Sequence, residues 1–264
     1  MLAPAADWPE SWRLSHRYDR LELWGARDHV GYTVAYGQRR DATLALLDEA
    51  LAPGATVLDL AAAQGNFSLA MARRGWAVTW NDLRAELEGY VRLKAGALPL
   101  AYAPGNAFEL AFAQPFDAVL ATEVIEHVAH PDDFLRRCAA LVRPGGCIVV
   151  STPNGAYARN TLPRFDACDP QALEAGQFKP DADGHLFLLH PDELHTLAAR
   201  AGLAVERMVL FTNPLSAGHL KTEALLRRLP PAWVEWLEAT SRRLPARAQR
   251  RVLVHLAARL RRAP

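Results

Sequence analysis

The sequence predicts an α/β fold, a doubly wound and mostly parallel sheet of seven strands with helices on both faces. Three observations predict it. Short apolar runs alternate with stretches of helical period, a small-residue turn follows the first run, and an acidic residue closes the second. A chain of 264 residues is long enough to bury one large core.

Segment 1–36 is rich in aromatic residues (Trp8, Trp12, Tyr18, Trp24, Tyr32, Tyr36) without a clear period, and reads as an irregular or helical cap. Leu44, Leu47 and Leu51 share a stripe, which predicts a helix over 38–51, ended by Pro53-Gly54. Residues 1–50 are thus a cap and helix, and 51–213 the core. Strands are expected at 56–60, 77–80, 98–102, 116–121 and 146–152, with helices at 66–74, 84–95 and 131–142 between most of them. Pro144-Gly145-Gly146 supplies a turn into the fifth strand.

The stretch 154–189 has little periodicity and many Pro, Asp and Gly residues, as expected of a substrate loop. Pro191 opens a helix to about 201, and 203–211 reads as a sixth strand. Residues 214–264 form a basic accessory helical region carrying Trp233 and Trp236. At its end, 251–260 fits a strand (Val252, Val254, Leu256 alternating) and a helix (Val252, Leu256, Leu260); the strand is preferred, as the last of the sheet.

Composition narrows the class. The chain is 50% hydrophobic and 22% charged, ordinary for a globular cytoplasmic enzyme. Cys138, Cys147 and Cys168 lack C-x-x-C spacing and are odd in number, so a disulfide framework is not expected. Residues 1–19 lack the apolar centre of a signal peptide, and no apolar run approaches the ~20 residues of a membrane span. The net charge of +1 hides an asymmetry: residues 218–264 hold eleven Lys/Arg against three Glu. Such a tail suits nucleic acid, anionic lipid or the acidic body of its own chain.

In an open α/β sheet, ligands bind at the carboxyl ends of the strands. In VLDLAAAQGNFSLAMARRG a small-residue turn joins the first strand to its helix, so a ligand can approach the backbone and free N–H groups. Asp82 ends the second strand, where a carboxylate accepts hydrogen bonds from the ribose hydroxyls of a nucleoside.

Together with PGNAFEL (104–110) and the block FDAVLATEVIEHVAHPDDFLRRCAALVRPGGCIVVSTPN (116–154), these features resemble class I S-adenosylmethionine-dependent methyltransferases over roughly 55–210. The resemblance implies a Rossmann-like sheet and S-adenosylmethionine as cofactor. It implies cofactor contacts at Asp59, Ala61, Ala63, Gln64 and Gly65, at Asp82 and Leu83, and at Asn106, Ala107 and Thr122. The turn departs from the family pattern, with alanine at 61 and 63 where glycine takes positive φ freely. Asn106 stands where the family often has an acid beside adenine, and an amide still offers both donor and acceptor.

The segment Glu123-Val124-Ile125-Glu126-His127 follows the fourth strand, where a methyl acceptor belongs. If helical, it places Glu123, Glu126 and His127 on one face. DADGHLFLLHPDEL (181–194) resembles a stretch of metal-dependent small-RNA 2′-O-methyltransferases and of quinone-pathway O-methyltransferases similar to them. That resemblance implies a divalent ion, Mg or another, held by Glu123, Glu126, His127 and His185, with His190 the fallback for the last. Without a metal, His127 or His185 is the candidate general base. The expected reaction is O-methylation of a small-molecule hydroxyl, on a catechol, vicinal diol or sugar. An RNA 2′-O-methyltransferase using the basic tail, and a non-catalytic binding protein, stand as alternatives. The same basic region makes peripheral membrane contact a further expectation, and the oligomeric state is open.

Overall fold

The computed structural model describes residues 4–25, 29–177, 184–218 and 220–262. Two N-terminal helices, α1 (Glu10–Glu22) and α2 (Val30–Asp48), precede β1 (Thr56–Leu60), α3 (Asn66–Ala72), β2 (Ala77–Trp80), α4 (Leu87–Ala95) and β3 (Ala101–Tyr102). β4 (Phe116–Thr122), α5 (Pro131–Leu141) and β5 (Val142–Pro153) follow. Then come α6 (Pro170–Glu174), α7 (Pro191–Arg200), β6 (Leu203–Phe211), α8 (Glu223–Leu226), α9 (Pro231–Ser241), α10 (Ala246–Val252) and β7 (His255–Arg262).

The seven strands form one sheet in the order β3-β2-β1-β4-β5-β7-β6. All pairs are parallel except those of β7, which runs antiparallel to β5 and β6. Side chains alternate between faces, as a doubly covered sheet requires. Leu58, Val119 and Ile148 pack with Phe134 and Leu135 of α5 and Leu194 of α7. Val57, Ala118 and Val149 pack on the other face with Leu44 and Leu47 of α2 and Met71 of α3. Strand order reverses between β1 and β4, so the crevice at their carboxyl ends is the expected ligand site.

Several boundaries differ from expectation. The helix expected over 38–51 begins at Val30 instead, because Tyr36 packs on Phe67 and extends the buried stripe backwards. The third strand shrinks from 98–102 to Ala101–Tyr102, pairing only with β2. The Pro-Gly-Gly turn lies inside β5: Val142 pairs with Phe116, the register shifts, and pairing resumes at Cys147 with Ala118. A Cβ on Gly146 would lie 2.7 Å from the Asp117 carbonyl oxygen, so only glycine allows this close passage.

The ambiguous 251–260 divides. Val252 closes α10 and His255 opens β7, which supplies the preferred last strand. The substrate loop also carries more order than its composition suggested. α6 lies within it, and Leu173, Phe187 and Leu189 enter the main core. Residues 178–183, including the first three of the 181–194 stretch, lie outside the described residues.

Candidate active site

The turn after β1 takes its expected path despite its alanines. Ala61 and Ala63 adopt φ of 55° and 45°, a region costly for a side chain bearing Cβ. The surroundings hold them there. The Ala62 N–H donates to the Asn81 carbonyl at 2.8 Å, the Ala63 N–H to Asp82 Oδ2 at 2.8 Å, and Trp80 Nε1 to the Ala63 carbonyl at 3.0 Å. Gly65 has φ 74°, and a Cβ there would meet Val91 at 2.7 Å.

Asp82 is buried and already engaged. Besides Ala63, its carboxylate accepts from the backbone and guanidinium of Arg84 at 2.9–3.2 Å. Asp59 is 1% exposed; Ser68 Oγ donates to Oδ2 at 2.5 Å, while Oδ1 has no hydrogen-bond partner. Burial pushes its carboxyl up to about 7.

Beside the turn opens a cavity of about 360 Å³, lined by Leu60, Ala61, Asn81, Leu83, Asn106 and Phe108 among others. Its walls are mostly apolar, with a few amides, as suits a flat heterocycle. Ala107 also lines it. The Asn106 amide is used locally: it donates to Glu109 at 2.7 Å and accepts from the Phe108 N–H at 3.1 Å. Gln64 turns towards α1, donating to Glu22 at 2.8 Å, and Thr122 pairs with Ser151 at the end of β4.

A buried polar cluster beneath the turn escaped sequence reasoning. Lys94 Nζ donates to Asp19 Oδ1 at 2.8 Å and to the Gln64 carbonyl at 2.9 Å. Asn66 Nδ2 donates to Asp19 and Glu22 at 2.8 Å each, and Tyr90 Oη to Asp19 at 2.6 Å. Burial pushes Lys94 down and Glu22 up from their ordinary values. Asp19 and Glu22 are three apart on a helix, a faint signal; their partners are too distant in sequence to read.

The E-V-I-E-H segment is not an α-helix. Glu123 has φ 54°, and its N–H continues the sheet ladder by donating to the Ser151 carbonyl at 2.9 Å. Only Ile125–His127 form a 3-10 turn. The spacing argument for three side chains on one helical face therefore gives way to a different grouping. Ligand atoms of Glu126, His127 and His185 all lie within 4.8 Å of one another. The His127 and His185 rings are 5.0 Å apart, and His185 Nε2 is 3.9 Å from Glu126 Oε1.

Glu123 turns away, to Arg39 at 3.2 Å and to the Ser151 hydroxyl, which donates at 2.8 Å. His190 caps α7, where its Nδ1 lies 3.3 Å from Arg164 and its N–H donates to Glu193. It is thus not part of the cluster.

The two glutamates are driven in opposite directions. Burial and then the Glu123 charge push Glu126 well above the usual carboxylate range. Burial also opposes Glu123, but Arg39, His255, Ser151 and His185 overcome it and hold that carboxyl low. Glu126 is fully buried; Oε2 accepts from the Thr152 hydroxyl at 2.9 Å, and Oε1 has no hydrogen-bond partner. Burial and the neighbouring His127 lower the His185 imidazole, favouring its neutral form. Val124 and Val128, on the same turn, line the cavity described above, so the cluster flanks it.

This sheet order, with a carboxylate after β2 and a cavity at the switch point, defines a class I S-adenosylmethionine-dependent methyltransferase. The chain belongs to the methyltransferase domain family, whose profile matches residues 35–207. It is 32% identical over 222 residues to the ubiquinone biosynthesis O-methyltransferase of Rhizobium etli (strain CIAT 652), covering 81% of this chain and 84% of that protein. A ubiquinone biosynthesis O-methyltransferase of Caulobacter vibrioides is 43% identical over 118 residues, 43% of this chain and 47% of that protein. The fold is similar to that of an S-adenosylmethionine-dependent methyltransferase from Mesorhizobium loti, with a TM-score of 0.57 and 19% identity over 87% of this chain and 98% of the other.

Proposed function

We propose that the enzyme transfers the methyl group of S-adenosylmethionine to a hydroxyl of a small molecule, a catechol or vicinal diol, with a divalent cation at Glu126, His127 and His185. The observation that carries this reading is the buried Glu126 Oε1, without a hydrogen-bond partner beside two imidazoles at the flank of the cofactor cavity. One carboxylate oxygen and two imidazole nitrogens suit Mg, Mn, Fe or Zn. The names of the relatives support oxygen as the acceptor atom.

The transfer is an in-line displacement. An O–CH3 bond forms as the S–CH3 bond breaks, and S-adenosylhomocysteine leaves. The chain's work is to position the acceptor and receive its proton. A divalent cation, when bound, lowers the pKa of a hydroxyl oxygen and favours two vicinal oxygens as ligands. Without a cation, His185, whose neutral form burial favours, is the group able to take the proton. Glu123, anchored by Arg39 and Ser151, adds negative charge that favours a cation nearby.

Methyl transfer to a panel of catechols, vicinal diols and sugars tests this, with and without a chelator. Activity that chelation removes and Mg or Mn restores is expected. Methylation indifferent to chelation would leave the imidazoles alone as base, and methylation confined to amines would end the proposal.

A further inference from the structure

Between β6 and β7 the chain makes a detour, residues 212–254, that carries α8, α9 and α10. It leaves and rejoins the sheet at the edge where Pro153 of β5 pairs with His255, the same edge as the site. α9 is fixed by one face. Val234, Glu238 and Ser241 are buried, Glu238 accepts from the Asn213 N–H at 2.8 Å and from the Ser216 hydroxyl, and Asn213 Nδ2 donates to Ser241 at 2.7 Å. The other face follows the spacing i, i+3, i+7 with Trp233, Trp236 and Thr240, all exposed. Each tryptophan is 60% exposed, and their rings meet edge to face at 6.2 Å. Leu225 of α8 is 55% exposed.

Exposed tryptophans at this level are costly unless something covers them. Charge indicates what. The detour holds eight Lys/Arg, every one with an exposed side chain, against three glutamates. Two of the three are turned to internal use: Glu238 as above, and Glu223, which accepts from the Val30 and Gly31 N–H groups at 2.7 and 3.1 Å. Glu235 is left as the exposed carboxylate. Glu223 also pairs with Arg227, and the detour as a whole is strongly cationic and carries an aromatic ridge.

We propose that this surface docks on an anionic lipid bilayer, with Trp233 and Trp236 entering the interface and the arginines of the detour meeting lipid phosphates. Tryptophan suits the interface because its ring is apolar and its N–H polar. Interfacial helices combine such a ridge with flanking cations. The ridge offers no amide side chains for reading bases, which favours lipid over nucleic acid. The proposal is independent of the acceptor that is methylated.

Co-sedimentation of the whole protein with phosphatidylcholine vesicles, with and without phosphatidylglycerol, tests it. Binding is expected only with phosphatidylglycerol and should fall as salt rises. Trp233→Ser/Trp236→Ser and, separately, Arg243→Ser/Arg247→Ser should each weaken it by about tenfold or more. Both pairs lie on exposed positions, so melting temperature and S-adenosylhomocysteine affinity should stay unchanged. No binding to phosphatidylglycerol vesicles at low salt would overturn the proposal, as would binding that both double variants retain. Retention of single-stranded RNA by this surface in place of vesicles would also overturn it.

Discussion

Asp59 on β1 and Glu126 after β4 are buried carboxylates at the ends of neighbouring strands, and each has one oxygen without a hydrogen-bond partner. Their surroundings differ. Asp59 sits against the Ser68 hydroxyl, with no cationic side chain among the groups that shift its pKa, and burial raises it to about 7. Glu126 shares a pocket with two imidazoles and feels the negative Glu123 across the turn. At the first position burial favours the protonated acid. The second lies beside two imidazoles, and the cation proposed there would reverse the local preference for the protonated acid. Asp59 is thus a carboxylate held by the helix that follows its strand, and Glu126 one set beside ligand-type side chains.

The largest expected effect is at Glu126. Glu126→Gln keeps the shape and the Thr152 contact but removes the anion. Methyl transfer should fall by about 100-fold with S-adenosylhomocysteine affinity unchanged, read by kinetics and calorimetry. Full activity in this variant would put Glu126 on the same footing as Asp59.

Asp59→Asn comes next, and acts on stability. An acid with a folded-state pKa above its unfolded value contributes stability that is fully present below about pH 4 and lost as pH rises through about 7. The shift corresponds to as much as roughly 4 kcal/mol at neutral pH. Melting curves between pH 5 and 8 should therefore fall more steeply in the parent than in Asp59→Asn. Parallel curves would mean that Asp59 stays ionised in the fold.

The smallest effect belongs to the turn itself. Ala61→Gly and Ala63→Gly relieve positive φ but add unfolded-chain entropy, so each should stabilise by about 0.5 kcal/mol. Loss of stability on thermal unfolding would show that the two methyl groups contribute packing that outweighs the strain.

Much of the fold was legible because period and burial agree. The buried runs around Leu58, Val119 and Ile148 could only be central strands, and Asp82 lies two residues past the end of β2, close to its expected place. The failures have local causes. A helix through Glu123 was the natural reading of the spacing, yet the sheet ladder captured the Glu123 N–H and set φ positive. The early start of α2 was hidden because Tyr32 and Arg39 face the polar groups Glu22 and Glu123, which interrupt the apolar stripe that Tyr36 extends. Lys94 and Asp19 could not be paired from sequence, since nothing local couples residues 75 apart. His185 joined Glu126 and His127 through a family resemblance, and no spacing rule links them.

The central claim is that Glu126, His127 and His185 hold a divalent cation. Calorimetric titration of Mn(II) into chelator-treated protein tests it most directly, with Glu126→Gln and His185→Ala alongside. Saturable binding of about one ion per chain is predicted, weakened by about tenfold or more in each variant. No saturable binding, or binding that both variants leave unchanged, would contradict it.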